Sequence, residues 1–311
     1  MNDILVIGSL NMDFVVEVPK SPLPGETIIA NKFSLVPGGK GANQAFALGR
    51  LGARVSMIGA VGNDEYGKKL IDNLKLAHVN TKKIFKMNDV NTGNAFINVD
   101  KSGENSIVVV SGANEKITKE FIDNNICYIK RAKIIVMQLE IPIEVVTYVA
   151  KIAKELGKIV VVDPAPARCD LPDELFSNVD IMKPNETELQ TLSGIKLNNE
   201  EDILKGAKIL LNKGVKNVIV TLGANGSMLV NANGYKKFDA LKVDVVDTTA
   251  AGDSFTAGLV NSLVLGKSLE DAIKYGHIVS SIVVTRKGAQ SSIPTKMEVS
   301  KYIKEVGLVN E

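Results

Sequence analysis

The sequence predicts a doubly wound α/β fold, in which a mostly parallel sheet lies between two layers of helices. One observation is a set of short apolar, β-branched runs, at residues 4–8, 55–61, 134–139, 159–163, 181–185 and 218–223. Another is that helical patterns fill the intervals, at residues 43–51, 66–77, 143–156, 186–193, 200–213 and 269–285. Strands that are apolar throughout and alternate with helices are typical of a parallel sheet covered on both faces. We expect one domain over residues 1–311.

Two regions interrupt this alternation and predict a small second sheet. Residues 14–36 and 93–110 contain strand-like pieces that follow one another without a helix, namely FVVEV, TIIANKFSLV, NAFINV and SIVVV. The run DKSGEN, at residues 100–105, is typical of a hairpin turn. A small sheet with one apolar face must cover a ligand or another subunit. We interpret the two inserts as a lid.

Composition and charge favour small-molecule partners. The chain has 311 residues, of which 45% are hydrophobic and 23% are charged, as in ordinary globular proteins. Its formal net charge is only +2, with basic and acidic residues interspersed, so we expect neither nucleic acid nor a membrane as a partner. The chain has two cysteines, Cys127 and Cys169, and neither a signal segment nor an apolar run of about 20 residues. These features predict a reduced, cytoplasmic location.

The run DTTAAGDSFTAG, at residues 247–258, combines a small-residue turn, a carboxylate and a helix start. The preceding residues 242–246 have the pattern of a strand, and the apolar spacing after Gly252 predicts a helix. Ala250, Ala251 and Gly252 are small enough for their N–H groups to converge on an anion. Asp253 would oppose a bound phosphate unless it orients the attacking hydroxyl or receives its proton. The run predicts phosphoryl transfer, although a tight turn with an acid at the helix start is an ordinary alternative.

Polar and glycine-rich segments lie where predicted strands end, which is where ligands bind in an open parallel sheet. Amides and carboxylates bind vicinal hydroxyls, lysine donates to them, and glycine allows close approach. These segments predict a site for an unphosphorylated sugar, with candidate residues Asn11, Asp13, Gly39, Lys40, Asn43 and Glu140. Ordinary turns and a solvated strand end would account for the same residues. The Gly-Lys pair is not a P-loop, because Gly41 stands where serine or threonine should coordinate magnesium.

Two later segments and a histidine predict a nucleotide site. In KPNETE, at residues 183–188, Asn185 and Glu188 have the spacing of a capping box. The same two side chains could instead contact a nucleotide phosphate and a water of hydrated magnesium. TLGANG, at residues 221–226, follows a strand and either beds a nucleotide or forms a plain hairpin turn. His277, in a late helix, either contacts adenine or is structural.

A series of motifs runs along almost the whole chain: VIGSLNMD, PGGKGANQA, SGENSIVVVSGAN, QLEIP, DPAPA, KPNETE, TLGANG, DTTAAGDSF and VTRKGAQSSIP. Together they resemble the ribokinase family of sugar kinases. The resemblance implies transfer of phosphate from ATP to the 5-hydroxyl of D-ribose, with Mg²⁺ required. A related kinase for a nucleoside, fructose or deoxyribose remains an alternative, as does a non-catalytic sensor of a sugar or nucleotide.

The resemblance also implies roles for individual residues. Asp253 would be the catalytic base, and Ala250, Ala251 and Gly252 would form an anion hole. The sugar would be bound by Asn11, Asp13, Gly39, Lys40, Asn43, Glu140 and Asp253. ATP would be bound by Asn185, Thr221, Gly223, Gly226, Gly252 and His277. Glu188 would hold magnesium through water.

Two further expectations follow from the resemblance. A monovalent cation, expected to be potassium, would be held mostly through backbone oxygens by Asp247, Thr249, Val283, Arg286, Gly288 and Ser292. In the family, the lid pairs with that of a second subunit. The resemblance therefore implies a homodimer in which Ala95, Ile107 and neighbouring apolar residues shield the sugar.

Overall fold

A computed structural model of the chain describes residues 3–101 and 105–307. Its strands are β1 (Ile4–Ile7), β2 (Asn11–Glu17), β3 (Lys32–Gly38), β4 (Val55–Gly62), β5 (Asn80–Met87), β6 (Gly93–Val99), β7 (Asn105–Val110), β8 (Ile134–Gln138), β9 (Ile159–Asp163), β10 (Ile181–Met182), β11 (Asn217–Thr221), β12 (Ser227–Asn231) and β13 (Gly234–Phe238). Its helices are α1 (Lys40–Arg50), α2 (Glu65–Leu76), α3 (Lys119–Asp123), α4 (Ile126–Arg131), α5 (Ile143–Glu155), α6 (Asp173–Ser177), α7 (Glu186–Ser193), α8 (Glu200–Asn212), α9 (Ala251–Val264), α10 (Leu269–Val284) and α11 (Lys296–Glu305). Short 3₁₀ turns occupy Gly112–Lys116, Gly223–Asn225 and Gln290–Ser292.

The larger sheet confirms the predicted doubly wound α/β architecture. It has nine strands in the order β13-β12-β11-β10-β9-β8-β1-β4-β5. Neighbouring strands are parallel except for the β11–β12 and β12–β13 pairs at one edge. Ile4 and Val6 of β1 belong to an apolar core shared with α1, α2, α9 and α10, whereas Leu5 and Ile7 belong to a core shared with α5, α7 and α8. Both faces of the sheet are therefore covered by helices.

Helix boundaries follow capping signals in the sequence. The carboxylate of Asp64 accepts a hydrogen bond from the N–H of Gly67 at 2.7 Å and so caps α2. Ser268 caps α10 through the N–H of Asp271 at 3.1 Å. Each cap satisfies a donor that the first helical turn leaves without a partner. The helix predicted at residues 269–285 is accordingly α10, which ends at Val284.

The second sheet confirms the predicted insert and has the strand order β3-β2-β6-β7. We call this sheet the lid. Its register places Asp13, Ala95 and Val109 side by side on one face, with Ile97 beside Ile107 on that same face. Strand β3 begins at Lys32, so the strand predicted to include residues 27–31 is shorter than expected. Residues 102–104 of the predicted hairpin turn lie outside the described residues.

One local prediction is wrong, and one ordinary alternative is excluded. Residues 242–246 form no strand: the Val246 N–H donates to the Val284 carbonyl at the end of α10, and Val245 and Val246 stay 61% and 62% exposed. Asn11 and Asp13 lie inside strand β2, which excludes the alternative of an ordinary turn. The chain leaves β1 and enters the lid within a few residues, so the end of a core strand leads directly to a lid strand.

Two further findings concern membrane spans and cysteines. No helix within residues 3–101 and 105–307 is both long and apolar enough to cross a bilayer. Cys127 and Cys169 are both exposed, free thiols.

Candidate active site

Helix α9 begins in a turn of small residues that directs backbone N–H groups out of its end. Ala250 adopts the left-handed conformation, with φ 60° and ψ 12°, which costs an alanine roughly 1–2 kcal/mol. The N–H of Ala251 donates to the carbonyl of Thr248 at 3.2 Å. Those of Gly252 and Asp253 have no backbone acceptor in the described part of the chain. These donors and the helix dipole make this end of α9 attractive to an anion.

The Asp253 side chain is buried at this helix end, and both of its oxygens accept hydrogen bonds from α1. Asn43 Nδ2 donates to Oδ2 at 2.9 Å, and Gln44 Nε2 donates to Oδ1 at 3.0 Å. Burial raises the pKa of Asp253, against the opposing effects of positive Lys40 and of the two amide donors. A carboxylate with a raised pKa beside an anion-binding helix end is suited to accept a proton from a hydroxyl.

Lys40 lies among several carboxylates, and we call this group the Lys40 cluster: Asp13, Lys40, Glu140, Asp163, Glu188 and Asp253. Burial by itself would lower the pKa of Lys40, but the negative charges of Asp253, Asp163 and Glu140 raise it overall. The ammonium group is therefore held in its charged form. Burial raises the pKa of Asp13 to about 7, with contributions from negative Glu140 and Asp253 and opposition from Lys40.

The start of α1 approaches the start of β2 closely, and glycine is required there. Gly39 has φ 86°, and a Cβ at this position would lie 2.7 Å from the backbone nitrogen of Asn11. Glu140 caps the helix, because its Oε2 accepts from the N–H of Lys40 at 3.0 Å and from Ser9 Oγ at 2.5 Å. Glu140 is thus a structural anchor for the glycine turn as well as a member of the Lys40 cluster.

Asn11 is held in the same cleft by a residue that the sequence analysis did not select. Asn114, from the 3₁₀ turn after β7, donates through Nδ2 to Asn11 Oδ1 at 2.8 Å, while its own Oδ1 accepts from the N–H of Leu10 at 2.9 Å. Both asparagines are buried. The structure therefore brings together all the residues predicted for the sugar: Asn11, Asp13, Gly39, Lys40, Asn43 and Glu140.

A cavity of about 790 Å³ runs from Lys40 and Asp253 along the end of α9 to His277. We call it the α9 cavity. Every residue predicted for the nucleotide lines it, namely Asn185, Thr221, Gly223, Gly226, Gly252 and His277, and so does Glu188. Part of its wall comes from residues 240–243 and Val245, which overlap the segment 242–246 that was wrongly predicted as a strand. The cavity therefore joins the Lys40 cluster to a chamber large enough for a small-molecule ligand.

Asn185, Glu188 and His277 also have the structural roles that were the ordinary alternatives to nucleotide binding. Asn185 and Glu188 form a complete capping box for α7, with both hydrogen bonds at 2.8 Å. His277 Nε2 lies 2.8 Å from Ser227 Oγ, and its ring makes an edge-on contact with Phe255. Burial lowers the pKa of His277 to about 4, so the ring lines the cavity as a neutral aromatic group.

The loop after α10 meets the residue that opens the DTTAAGD motif. Asp247 accepts from the Gly288 N–H at 2.8 Å and from the Thr249 N–H at 2.9 Å and hydroxyl at 2.6 Å. Although burial opposes it, these hydrogen bonds hold the pKa of Asp247 below its ordinary value. Arg286 pairs with Glu298 at 3.0 Å and therefore points away from the α9 cavity.

The remaining residues predicted for the cation lie on the same loop and on α10. The Ser292 carbonyl is 3.5 Å from the Arg286 guanidinium, and the Val283 carbonyl accepts the Arg286 N–H at 3.0 Å. No group of three or more histidine, cysteine or acidic side chains suited to a metal occurs within the described ranges. Any ion at this loop would therefore depend on backbone and hydroxyl oxygens beside one carboxylate.

Lys183 and Asp163 are a buried ion pair that the sequence analysis overlooked. Lys183 Nζ lies 3.3 Å from Asp163 Oδ2, and both residues are 3% exposed. Asp163 also accepts from Gln44 Nε2 at 2.9 Å. A Cβ on Gly252 would lie 3.4 Å from Lys183 Nζ, so the ammonium reaches the anion-binding end of α9. The available signal was that these residues lie within the motifs GGKGANQA, DPAPA and KPNETE, next to residues that were selected.

Comparison with known proteins agrees with this geometry. The model of the pfkB family carbohydrate kinases matches residues 1–296. The chain belongs to this family. Among pfkB family relatives, the ribokinase of Haemophilus influenzae is 41% identical over 298 residues, covering 96% of this chain and 97% of that protein. The deoxyribokinase of Salmonella typhi is 35% identical over 301 residues, covering 97% and 98%. The structure of Arabidopsis thaliana ribokinase complexed with ribose and ATP superposes with a TM-score of 0.91 at 35% identity, covering 98% of this chain and 99% of that chain.

Proposed function

We propose that this protein transfers the γ-phosphoryl group of ATP to the 5-hydroxyl of D-ribose, giving ribose 5-phosphate and ADP. The observation that carries the proposal is the position of Asp253, a buried member of the Lys40 cluster at the N-terminal end of α9 that also lines the α9 cavity. Relatives named ribokinase and the likeness to a ribokinase complexed with ribose and ATP support it.

The chemistry follows from the groups around Asp253. Its carboxylate accepts the proton of the sugar hydroxyl as the new oxygen–phosphorus bond forms and the bond to ADP breaks. The N–H groups of Ala250 and Gly252, with the helix dipole, stabilise the charge on the transferring group, and that of Ala251 joins them when it exchanges the Thr248 carbonyl for a phosphate oxygen. Asp253, Ala250, Ala251 and Gly252 are thus the proposed catalytic residues. The whole chain, residues 1–311, is proposed to act as one kinase domain, with the lid excluding water over the sugar.

The proposed binding sites occupy the two ends of the cleft. The sugar is bound by Asn11, Asp13, Gly39, Lys40, Asn43, Glu140 and Asp253, which supply the acceptors and donors that vicinal hydroxyls need. ATP is bound along the α9 cavity by Asn185, Thr221, Gly223, Gly226, Gly252 and His277. The neutral His277 ring is suited to pack against the base.

The metal requirements are also part of the proposal. Glu188 Oε2 accepts the hydrogen bond of the capping box from the Asn185 N–H. Its Oε1 is the acceptor that we propose for a water of hydrated Mg²⁺. Bound magnesium would neutralise charge on the phosphates of ATP. For potassium, the proposed ligands supply only oxygen donors, which suits a hard cation: Asp247, Thr249, Val283, Arg286, Gly288 and Ser292. The free thiols of Cys127 and Cys169 agree with the cytoplasmic location that we propose.

Lys183 is proposed to contact the phosphates of ATP, because its ammonium lies beside Gly252 in the α9 cavity. Replacing Lys183 with methionine is expected to lower kcat/KM for ATP about tenfold, as expected for one lost charged hydrogen bond. Lys208→Met is the matched control, since Lys208 is exposed on α8 and does not line the α9 cavity. Steady-state kinetics with varied ATP measure both.

The Lys183 variant also leaves Asp163 buried without its cation, which can destabilise the fold. The double variant Lys183→Met/Asp163→Asn removes that charge. Its thermal unfolding midpoint is expected to recover while the loss of kcat/KM persists. Full recovery of activity in the double variant would show that Lys183 only neutralises Asp163.

The pH dependence of sugar use provides a further test. Because burial raises the pKa of Asp13 to about 7, this carboxyl is largely protonated below that pH in the free protein. Ribose hydroxyls donate to the ionised form, so kcat/KM for ribose is expected to rise as the pH increases through about 7. In Asp13→Asn the rise near pH 7 is expected to disappear, and any acidic limb that remains belongs to the proposed base Asp253. A wild-type profile that is flat on both sides of this pH would refute the role of Asp13.

We also propose that the lid pairs with that of a second copy, through the face that carries Ala95 and Ile107. Ile107 is 52% exposed although it is apolar and lies on the same face as Asp13. Ile107→Lys is expected to shift the protein from dimer to monomer in analytical ultracentrifugation. Val108→Lys is the matched control on the opposite face of the same strand. A monomeric wild type, or equal effects of both changes, would contradict this pairing.

A substrate panel tests the proposed function directly. ADP release is measured with ribose, deoxyribose, fructose and adenosine, each with potassium or sodium and with magnesium or a chelator. The highest kcat/KM is expected with ribose, in the presence of magnesium and potassium. A preference for deoxyribose would instead indicate a deoxyribokinase, as the Salmonella typhi relative is named. Sugar binding without ADP release would indicate a sensor.

A further inference from the structure

The two amides that donate to Asp253, those of Asn43 and Gln44, could each adopt two orientations. An asparagine or glutamine can present either its nitrogen or its oxygen to a neighbour, because the two ends have nearly the same shape. An ionised carboxylate accepts hydrogen bonds only, so Asn43 and Gln44 must both turn their nitrogens towards Asp253. Something else in the structure must keep these two amides from turning over.

For Asn43, the orienting group is Gln290. Gln290 Nε2 donates to Asn43 Oδ1 at 3.0 Å, which leaves Asn43 Nδ2 for Asp253. Gln290 is oriented in turn, because its Oε1 accepts a short hydrogen bond from Asn73 Nδ2 on α2. Gln290 is 5% exposed, so water does not compete freely for these bonds. Each amide therefore donates to the next, from Asn73 to Gln290 to Asn43, and the last donates to Asp253 Oδ2.

For Gln44, the orienting group is Gln138 at the end of β8. Gln138 Nε2 donates to Gln44 Oε1 at 2.6 Å, which leaves Gln44 Nε2 for Asp253 Oδ1 and Asp163. Gln138 is fully buried, and its Oε1 has no hydrogen-bond partner among the described residues. The two glutamines therefore fix each other: Gln44 Nε2 faces two carboxylates, so Gln44 presents Oε1 to Gln138, and only the nitrogen of Gln138 can donate to it. Gly8 makes room for it, because a Cβ there would lie 2.0 Å from Gln138 Oε1.

We propose that Gln290 and Gln138 are positioning residues that fix the orientation of the two amide donors to Asp253 and so keep this carboxyl available as a base. The inference builds on the proposed function, in which Asp253 takes the proton of the sugar hydroxyl. Each glutamine controls one oxygen: Gln290 acts through Asn43 on Oδ2, and Gln138 acts through Gln44 on Oδ1. A reversed amide would place oxygen against the carboxylate and repel it.

The effect on Asp253 has a definite sign. Amide donors lower the pKa of a carboxyl because they stabilise its charged form, whereas burial raises it. Other charged groups also face Asp253: Lys40 from α1, Asp13 from β2 and Asp163 from β9, which is paired with Lys183. Replacing Gln290 leaves the contacts of these groups in place, whereas replacing Gln138 also affects Asp163, because Gln44 Nε2 donates to both carboxylates. Loss of Gln290 or Gln138 is therefore expected to raise the pKa of Asp253 further.

The test replaces each glutamine with methionine, which has a similar shape and no amide. Gln290→Met and Gln138→Met are each expected to lower kcat by about tenfold and to move the acidic limb of the kcat profile to higher pH. Gln190→Met is the matched control: it removes the amide that accepts from the Leu197 N–H at 2.9 Å on α7, away from Asp253. An unchanged pH limb in both site variants would overturn the proposal, even if their thermal stability fell.

A second readout does not require turnover. In protein labelled with ¹³C at aspartate carboxyl carbons, the Asp253 signal is identified by its absence in Asp253→Asn. Its titration is expected to move to higher pH in Gln290→Met and Gln138→Met and to stay unchanged in Gln190→Met. If the protein phosphorylates none of the sugars, the proposed function fails but this titration still decides the inference. If ribose is phosphorylated and the Asp253 titration is unmoved, only the inference fails.

Discussion

Asp253→Asn is expected to lower kcat for ribose phosphorylation by on the order of a thousandfold, because the proton acceptor is lost. The substitution keeps the size of the side chain. An asparagine cannot accept from both Asn43 and Gln44, however, because one of its two ends is itself a donor. The affinity for ATP is expected to change little, since the nucleotide residues lie further along the α9 cavity.

The kinetics and the binding of ATP are measured separately, by coupled ADP release and by isothermal titration. Asp244→Asn is the matched control, because Asp244 is exposed on the segment that leads to the DTTAAGD motif. Wild-type turnover in Asp253→Asn would remove this residue from the mechanism. Loss of ATP affinity together with turnover would assign it to nucleotide binding and not to proton transfer.

Asp13→Asn is expected to raise KM for ribose by about a hundredfold, which corresponds to the loss of charged hydrogen bonds to sugar hydroxyls. Asp13 is closely packed: a Cβ on Gly38 would lie 2.0 Å from its Oδ2. The carboxylate therefore has a defined place between the lid and the Lys40 cluster. The KM for ATP is expected to stay at its wild-type value because Asp13 does not line the α9 cavity.

Glu17→Gln is the matched control for this change. Glu17 lies on the same strand and the same face of the lid as Asp13, at its far end, where it pairs with Lys287. Ribose affinity measured by isothermal titration is expected to fall in Asp13→Asn only. Unchanged ribose binding in that variant would exclude Asp13 from the sugar site.

Much of the fold was predictable because apolar strands and capped helices carry their signals locally. The core strand β1 and the helix α10 lie within a residue of their predicted ends. Strand β5 was missed because it lies at the edge of the sheet, where NTKKIFKM mixes lysines and apolar residues without a clear period. Residues 242–246 have a strand pattern, but their backbone bonds to the end of α10 at Val284 and not to a strand. Whether a segment joins a sheet depends on its neighbours in space.

The candidate site shows the same division. Asp253, Lys40 and Asn185 were predictable because each lies in a short motif at the end of a strand or the start of a helix. Gln138 and Gln290 lie within the motifs QLEIP and VTRKGAQSSIP, but their role could not be predicted, since each acquires its partner only by contact with a residue more than ninety positions away along the chain. The Lys183–Asp163 ion pair likewise joins the ends of two strands that only the sheet brings together.

By itself, the sequence determined the layered α/β fold, the turn at the start of α9 and the residue types available to a sugar and a nucleotide. Those features depend on apolar periodicity, capping and backbone freedom, which act over a few residues. Only the tertiary structure decided the charge state of Asp13, the partners of Asp253 and the direction of the amide donors. Burial and hydrogen bonding between distant segments set these properties, and both arise only when the chain is folded.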